Sequence, residues 1–162
     1  MEKRKAEKIT SLVVLLLVVV LLFVDRPLSS VGISAGCDIT GRLLYSFYHV
    51  NVIHAALNVW CMLSVVFIYN VSVWRLLLSY ITAVTIPSLM LGNTPTVGLS
   101  AVVFFLFASI SFEVCRKWYY QSWMLFYLIA GFFFPNTNAT VHLYCYACGM
   151  LYALLNKPIV RR

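Results

Sequence analysis

Acidic residues are scarce in this chain. Only five occur, Glu2, Glu7, Asp25, Asp38 and Glu113, against twelve lysines and arginines, for a net charge of +7. Charged residues make up 10% of the 162 residues, 62% are hydrophobic, and mean hydropathy is +0.91. That balance is foreign to a soluble domain of this size and makes the bilayer the expected solvent. No aspartate falls within the apolar runs, which excludes a pair of intramembrane aspartates as a catalytic device. No His-Glu-x-x-His occurs, which excludes the helical zinc-protease motif. One Cys-x-x-Cys is present, Cys145 with Cys148, but no second pair or spaced histidine completes a zinc site. No βαβ pattern surrounds it to suggest redox work, so the cysteines read as small packing residues. No metal and no cofactor is expected. Internal repeats, low-complexity linkers and room for a separate soluble domain are missing too.

What the chain does have is apolar runs. A span takes about 20 residues. Six runs fit, at approximately 9–24, 50–69, 74–91, 99–115, 119–134 and 140–156. The expected fold class is an all-α polytopic membrane protein, one domain over 1–162 built as a six-transmembrane-helix bundle. The basic start before residues 9–24 also has the form of a signal peptide with a small-residue cleavage site at Ala35. That run is read here as a retained first span. Residues 25–42 read as a polar loop; 70–75, 92–95 and 135–138 read as short connections.

The basic residues lie in short loops and read as topology signals, with no nucleic-acid surface. Lys3, Arg4, Lys5, Lys8, Arg75, Arg116, Lys117, Lys157, Arg161 and Arg162 fall on one side. Only Arg26 and Arg42 fall on the other. The positive-inside rule then puts both termini in the cytoplasm and turns the loops holding Asp38, Asn93 and Asn136 outward.

Counting from the cytoplasmic end of each run places its polar residues by depth. Ser100 lies ~24 Å above Arg116, His142 ~22 Å above Lys157, and His54 ~24 Å above Asn70. Three runs thus bring polar side chains to one level, a little below the outer surface of a core ~30 Å thick. Asn58 falls one turn deeper on the same face as His54. The fourth run covers only ~22 Å from Ser100 to Cys115, so a loop dipping into the membrane must reach its start. Such a loop survives only if it is buried in protein or lines a wet cavity, and hydrolysis needs water.

A serine hydroxyl becomes a useful nucleophile when a neighbouring base takes its proton. His142 is the candidate base for Ser100. Glu113 lies ~20 Å toward the cytoplasm and the other acids are terminal or in the first outer loop, so a dyad without a carboxylate is expected. The Asn58 amide, His54 and the Ser100 backbone N–H are candidate donors to a developing oxyanion. Taken singly, Ser100, Gly98 and Ala101 read as helix-packing residues and Asn58 as an interhelical hydrogen bonder. Their common depth with two histidines favours chemistry.

These residues also form motifs. His49, His54 and Asn58 stand in His-x-x-x-x-His-x-x-x-Asn; Gly98-Leu99-Ser100-Ala101 forms Gly-x-Ser-Ala; and His142 precedes Gly149 in the last run. In order and spacing the chain resembles the rhomboid intramembrane serine proteases, in their minimal six-helix bacterial form, from about residue 9 to 156. The resemblance implies an endopeptidase that cuts single-span membrane proteins near the outer membrane boundary, from within a bacterial plasma membrane. It implies Ser100 as nucleophile, His142 as base, and His54 and Asn58 in the oxyanion hole. His49 would be structural at the outer mouth of the second helix, and Phe104 would pack its ring on the His142 imidazole. Cys145 takes the place of a family glycine and Ala101 the small position after the serine, which enlarges the contact between fourth and sixth spans. The Trp-Arg pair of the first outer loop is missing, although Arg42 remains. A rhomboid-like binder that does not cut, and a small channel or transporter, are the rival classes. The channel reading expects polar residues through the whole membrane depth, whereas these cluster at one level.

Overall fold

The computed structural model describes residues 2–69, 71–134 and 137–156. Asn70, Pro135, Asn136, Lys157, Arg161 and Arg162 lie outside the described residues, as do the side chains of Lys3 and Arg4. The architecture is all-helical. In chain order the helices are α1 (Glu2–Leu21), α2 (Leu28–Val31), α3 (Ile39–Leu44), α4 (Val52–Tyr69), α5 (Val73–Val84), α6 (Ser100–Ser109), α7 (Lys117–Gly131) and α8 (Ala139–Leu155). Among the described residues the only β pairing is an isolated antiparallel bridge between Ile33 and Thr96.

α6 occupies the centre because it has no polar face. Ala101, Val102, Val103, Phe105, Leu106 and Ala108 are all buried. A helix apolar on every side must be surrounded. α4, α5 and α8 surround it, with α8 in the most extensive contact. That contact runs along small residues. Cys145, Gly149 and Ala153 recur every fourth position on α8 and are all buried. A Cβ added at Gly149 would collide with the Phe105 carbonyl oxygen and come within 2.9 Å of the Ala108 Cβ. Small residues at this spacing let helix backbones approach closely. Cys145 and Ala101 are completely buried in the seam, so the bulk they add over glycine is accommodated there.

Several boundaries differ from the sequence expectation. The third apolar run stops as a helix at Val84, not near residue 91. The Thr85 hydroxyl donates back to the Ile81 carbonyl at 2.8 Å, and Pro87 follows, restricting Ile86 to non-helical backbone. The fourth helix ends at Ser109, not near residue 115. The Ser109 hydroxyl donates to Leu106 O at 2.7 Å, and residues 110–116 continue as turns. The fifth helix starts two residues early, at Lys117, and ends at Gly131. The loop read at 25–42 contains α2 and the start of α3. Asp38 caps α3 by accepting the Gly41 N–H at 2.8 Å.

The charge asymmetry maps onto the two ends of the bundle. At one end Lys8 lies over the Phe67 ring at 5.3 Å, Arg75 over the Tyr152 ring at 5.3 Å, and Arg75 pairs with Glu113 at 2.8 Å. At the other end Arg42 donates to Val84 O, Ile86 O and the Ser88 hydroxyl, at 3.2, 2.7 and 2.7 Å. Among the described residues one helix, Val52–Tyr69, is both long and apolar enough to cross a membrane; Lys8–Leu21, Val73–Val84, Ser100–Ser109 and Ala139–Leu155 are shorter apolar helices. Large apolar side chains are exposed on the outside of the bundle, among them Trp74 at 78%, Trp118 at 88% and Phe133 at 80%.

The Gly149 contact is testable. Gly149→Ala forces α6 and α8 apart or strains them, an overpacking cost of about 1–3 kcal/mol. The thermal unfolding midpoint of the purified variant is expected to fall; an unchanged midpoint would contradict the close contact.

Candidate active site

The start of α6 is held in place by two consecutive hydrogen bonds. The Gly98 N–H donates to Tyr45 O at 2.8 Å, and the Leu99 N–H to His49 Nε2 at 3.2 Å. Gly98 has φ +134°, where an L side chain is strained, and a Cβ there would lie 2.7 Å from His54 Cε1. Glycine at 98 therefore does two things: it turns the chain into α6 and leaves space for the His54 ring. Leu99 supplies no side-chain cap. The Ser100 N–H, which has no partner within its helix, is left at the positive end of the helix dipole.

Ser100 and His142 meet across the α6–α8 seam. His142 Nε2 lies 2.8 Å from Ser100 Oγ. The Phe104 ring, one turn below Ser100, stacks on the imidazole at 4.4 Å between centroids and 19° between planes. The His142 backbone N–H is fixed by Asn138 O at 3.2 Å, and the Asn138 side chain accepts the Val141 N–H at 3.3 Å to cap α8. Glu113 is paired with Arg75 and Asp38 caps α3, so among the described residues neither of these acids reaches the imidazole.

His54, Gly98, Ser100 and His142 line a common cavity of about 80 Å³, together with Tyr45, Thr96, Val97, Thr137, Asn138 and Val141. Two larger clefts adjoin it. One, of about 360 Å³, shares Thr96, Thr137 and Asn138; the other, of about 510 Å³, shares His54, Thr96, Val97 and Thr137. Both clefts meet the cavity at Thr96 and Thr137. Asn58 is placed differently. It is buried one turn below His54, is not among the residues lining the cavity, and spends one amide hydrogen on the His54 carbonyl at 2.9 Å. The structure gathers Ser100, His142, His54, Gly98 and Phe104 directly. His49 stands behind the turn with its ring 5.1 Å from that of His54, and Gly149 acts at a distance through the helix seam.

Sequence reasoning missed Tyr45, Thr96, Thr137 and Asn138 in the lining. Asn138 carried a signal, an Asn just before an apolar run, which marks a helix start. Asn51 carried the same signal and accepts the His54 N–H at 2.8 Å, fixing the first turn of α4. Tyr45 and the threonines lie in segments without periodicity and carried none. Cys145 and Cys148 are free thiols, and no group of three or more metal-ligating side chains occurs among the described residues.

Searches of protein-family models, of curated proteins and of solved structures return no match for this chain.

The His49 tautomer follows from its partners. Nε2 accepts the Leu99 N–H, so Nδ1 carries the hydrogen and donates to Phe47 O at 3.2 Å. Burial, and then the neighbouring His54, hold its pKa down to about 4. A neutral ring favoured by the fold contributes stability that is intact above pH ~6.5 and lost as pH falls toward about 4. The unfolding midpoint is expected to drop over that window, and less steeply in His49→Gln. Equal slopes in the two proteins would show that His49 is not the titrating group.

Proposed function

We propose that this protein is an intramembrane serine endopeptidase of the rhomboid type. The observation that carries the reading is the Ser100 Oγ–His142 Nε2 pair at 2.8 Å, stacked by Phe104 and set at an uncapped helix start. The chemistry follows from those atoms. As Ser100 Oγ attacks a peptide carbonyl carbon, its proton passes to His142 Nε2. The carbonyl oxygen takes up the displaced electron pair and is met by the Ser100 N–H, with His54 on the opposite wall of the cavity. Asn58 supports this donor set from one turn below. The tetrahedral centre collapses, His142 gives its proton to the leaving amine, and the C-terminal product departs. Water entering by either adjoining cleft is then deprotonated by His142 and releases the acyl group from Ser100.

We further propose that α1, α4, α5, α6, α7 and α8 form a six-span bundle with the cavity near the outer face. Two observations support it. The outer faces carry exposed tryptophan and phenylalanine, which water would penalise and lipid would not. The shortest of these six helices, α6, at ~15 Å, is shielded by its neighbours and has no need to meet lipid along a full core thickness. Both termini would then lie in the cytoplasm, with Lys8 and Arg75 at that end. The proposed substrates are single-span membrane proteins whose helices unwind locally at the outer boundary, because a helical carbonyl is occupied by its own hydrogen bond.

The test is cleavage of a panel of single-span reporters co-reconstituted in liposomes. Wild type is expected to cut at least one, and Ser100→Ala and His142→Ala to lose at least ~10³-fold in rate. Full activity of His142→Ala would rule it out as the base. Binding of reporters with no cutting by wild type would favour a non-cleaving rhomboid-like binder.

A further inference from the structure

The end of α5 and the segment after it are joined to α3 and its cap residue by five hydrogen bonds. Arg42 supplies three, and Tyr80 donates its hydroxyl to Leu43 O at 2.8 Å. The fifth comes from Tyr45, whose hydroxyl donates to Ala83 O at 3.0 Å. Tyr45 is 2% exposed and ends α3 with its own N–H on Gly41 O. Its backbone carbonyl then takes the Gly98 N–H, and Tyr45 is among the residues lining the cavity. One residue therefore touches α5 through its phenol and the turn before Ser100 through its carbonyl, and borders the cavity as well. Ala83 belongs to the last turn of α5, whose carbonyls have no partner within the helix. The phenol supplies one in a buried setting, where an unmade bond is costly. Burial pushes the phenol pKa upward, so it remains a donor.

We propose that Tyr45 is a positioning residue for Ser100: its bond to Ala83 fixes the α3 end, and its carbonyl fixes Gly98 and the start of α6. The catalytic part of this inference rests on the protease reading; the mechanical part does not. Arg42, in the last turn of α3, serves the same junction through α5 and the segment after it.

The matched comparison is Tyr120, a partly buried phenol. It donates to Phe107 O at 2.8 Å, low on α6 and away from the cavity. Tyr45→Phe and Tyr120→Phe each remove one hydroxyl and keep the ring, so both are expected to lower the unfolding midpoint by similar amounts. They should differ at the site. Tyr45→Phe is expected to slow fluorophosphonate labelling of Ser100 about tenfold, to lower reporter kcat with KM within about twofold, and to speed amide hydrogen exchange at Gly98 and Leu99. Tyr120→Phe should leave all three at wild-type values once corrected for folded fraction. If Tyr45→Phe changes labelling and exchange no more than Tyr120→Phe does, the proposal is overturned. If wild type is not labelled at all, the protease reading fails. The exchange measurement still decides whether Tyr45 holds the turn: faster exchange supports that role, and unchanged exchange overturns it.

Discussion

The geometry of this protein depends on how closely α6 and α8 approach. Gly149 sets that distance, because its missing side chain is the space the Phe105 carbonyl and Ala108 occupy. His142 lies seven residues before Gly149, two helical turns up the same face. Ser100 lies five residues before Phe105. A close contact in the lower part of the seam therefore fixes the separation at its upper end, where Ser100 Oγ meets His142 Nε2 at 2.8 Å. With no carboxylate behind the imidazole among the described residues, orientation comes from packing. Phe104 covers one face of the ring, and the α8 cap at Asn138 sets the backbone that carries it.

A second constraint acts at the other end of the two short helices. α5 stops at Val84 and α6 begins only at Ser100, so backbone groups at both ends need partners. Arg42, Tyr45 and His49 supply them from one short stretch of chain, at Val84 O, Ala83 O and the Leu99 N–H. That stretch leaves the Ser100 N–H unengaged while tying down the two before it. On the protease reading, that N–H is the anion-stabilising group beside the nucleophile, produced by ordinary satisfaction of helix ends.

The all-helical class and the membership of the site were legible because each rests on a local pattern. Apolar runs gave the helices. Depth counting from their ends brought Ser100, His54 and His142 to one level, and the resemblance to rhomboid proteases added Gly98, Phe104 and Gly149. The count reached a sound grouping through a flawed premise. It took the fourth run as continuous helix to Cys115, whereas α6 ends at Ser109 and turns follow. α2 and α3 were illegible since each is shorter than the window over which periodicity speaks. Arg42 was noticed as a motif remnant, but its three bonds span more than forty residues, and no local pattern encodes them. Asn58 was assigned to the cavity by spacing alone. Its amide turns back to His54, a choice between two acceptors that sequence does not express.

The central claim is that the packing of α6 against α8 makes one serine among many nucleophilic. The direct measurement is mass-spectrometric mapping of a fluorophosphonate adduct on the protein in native-like membranes. The account predicts a single adduct on Ser100, absent when His142 is replaced by alanine. An adduct spread over other serines, or one on Ser100 that forms equally fast without His142, would contradict it.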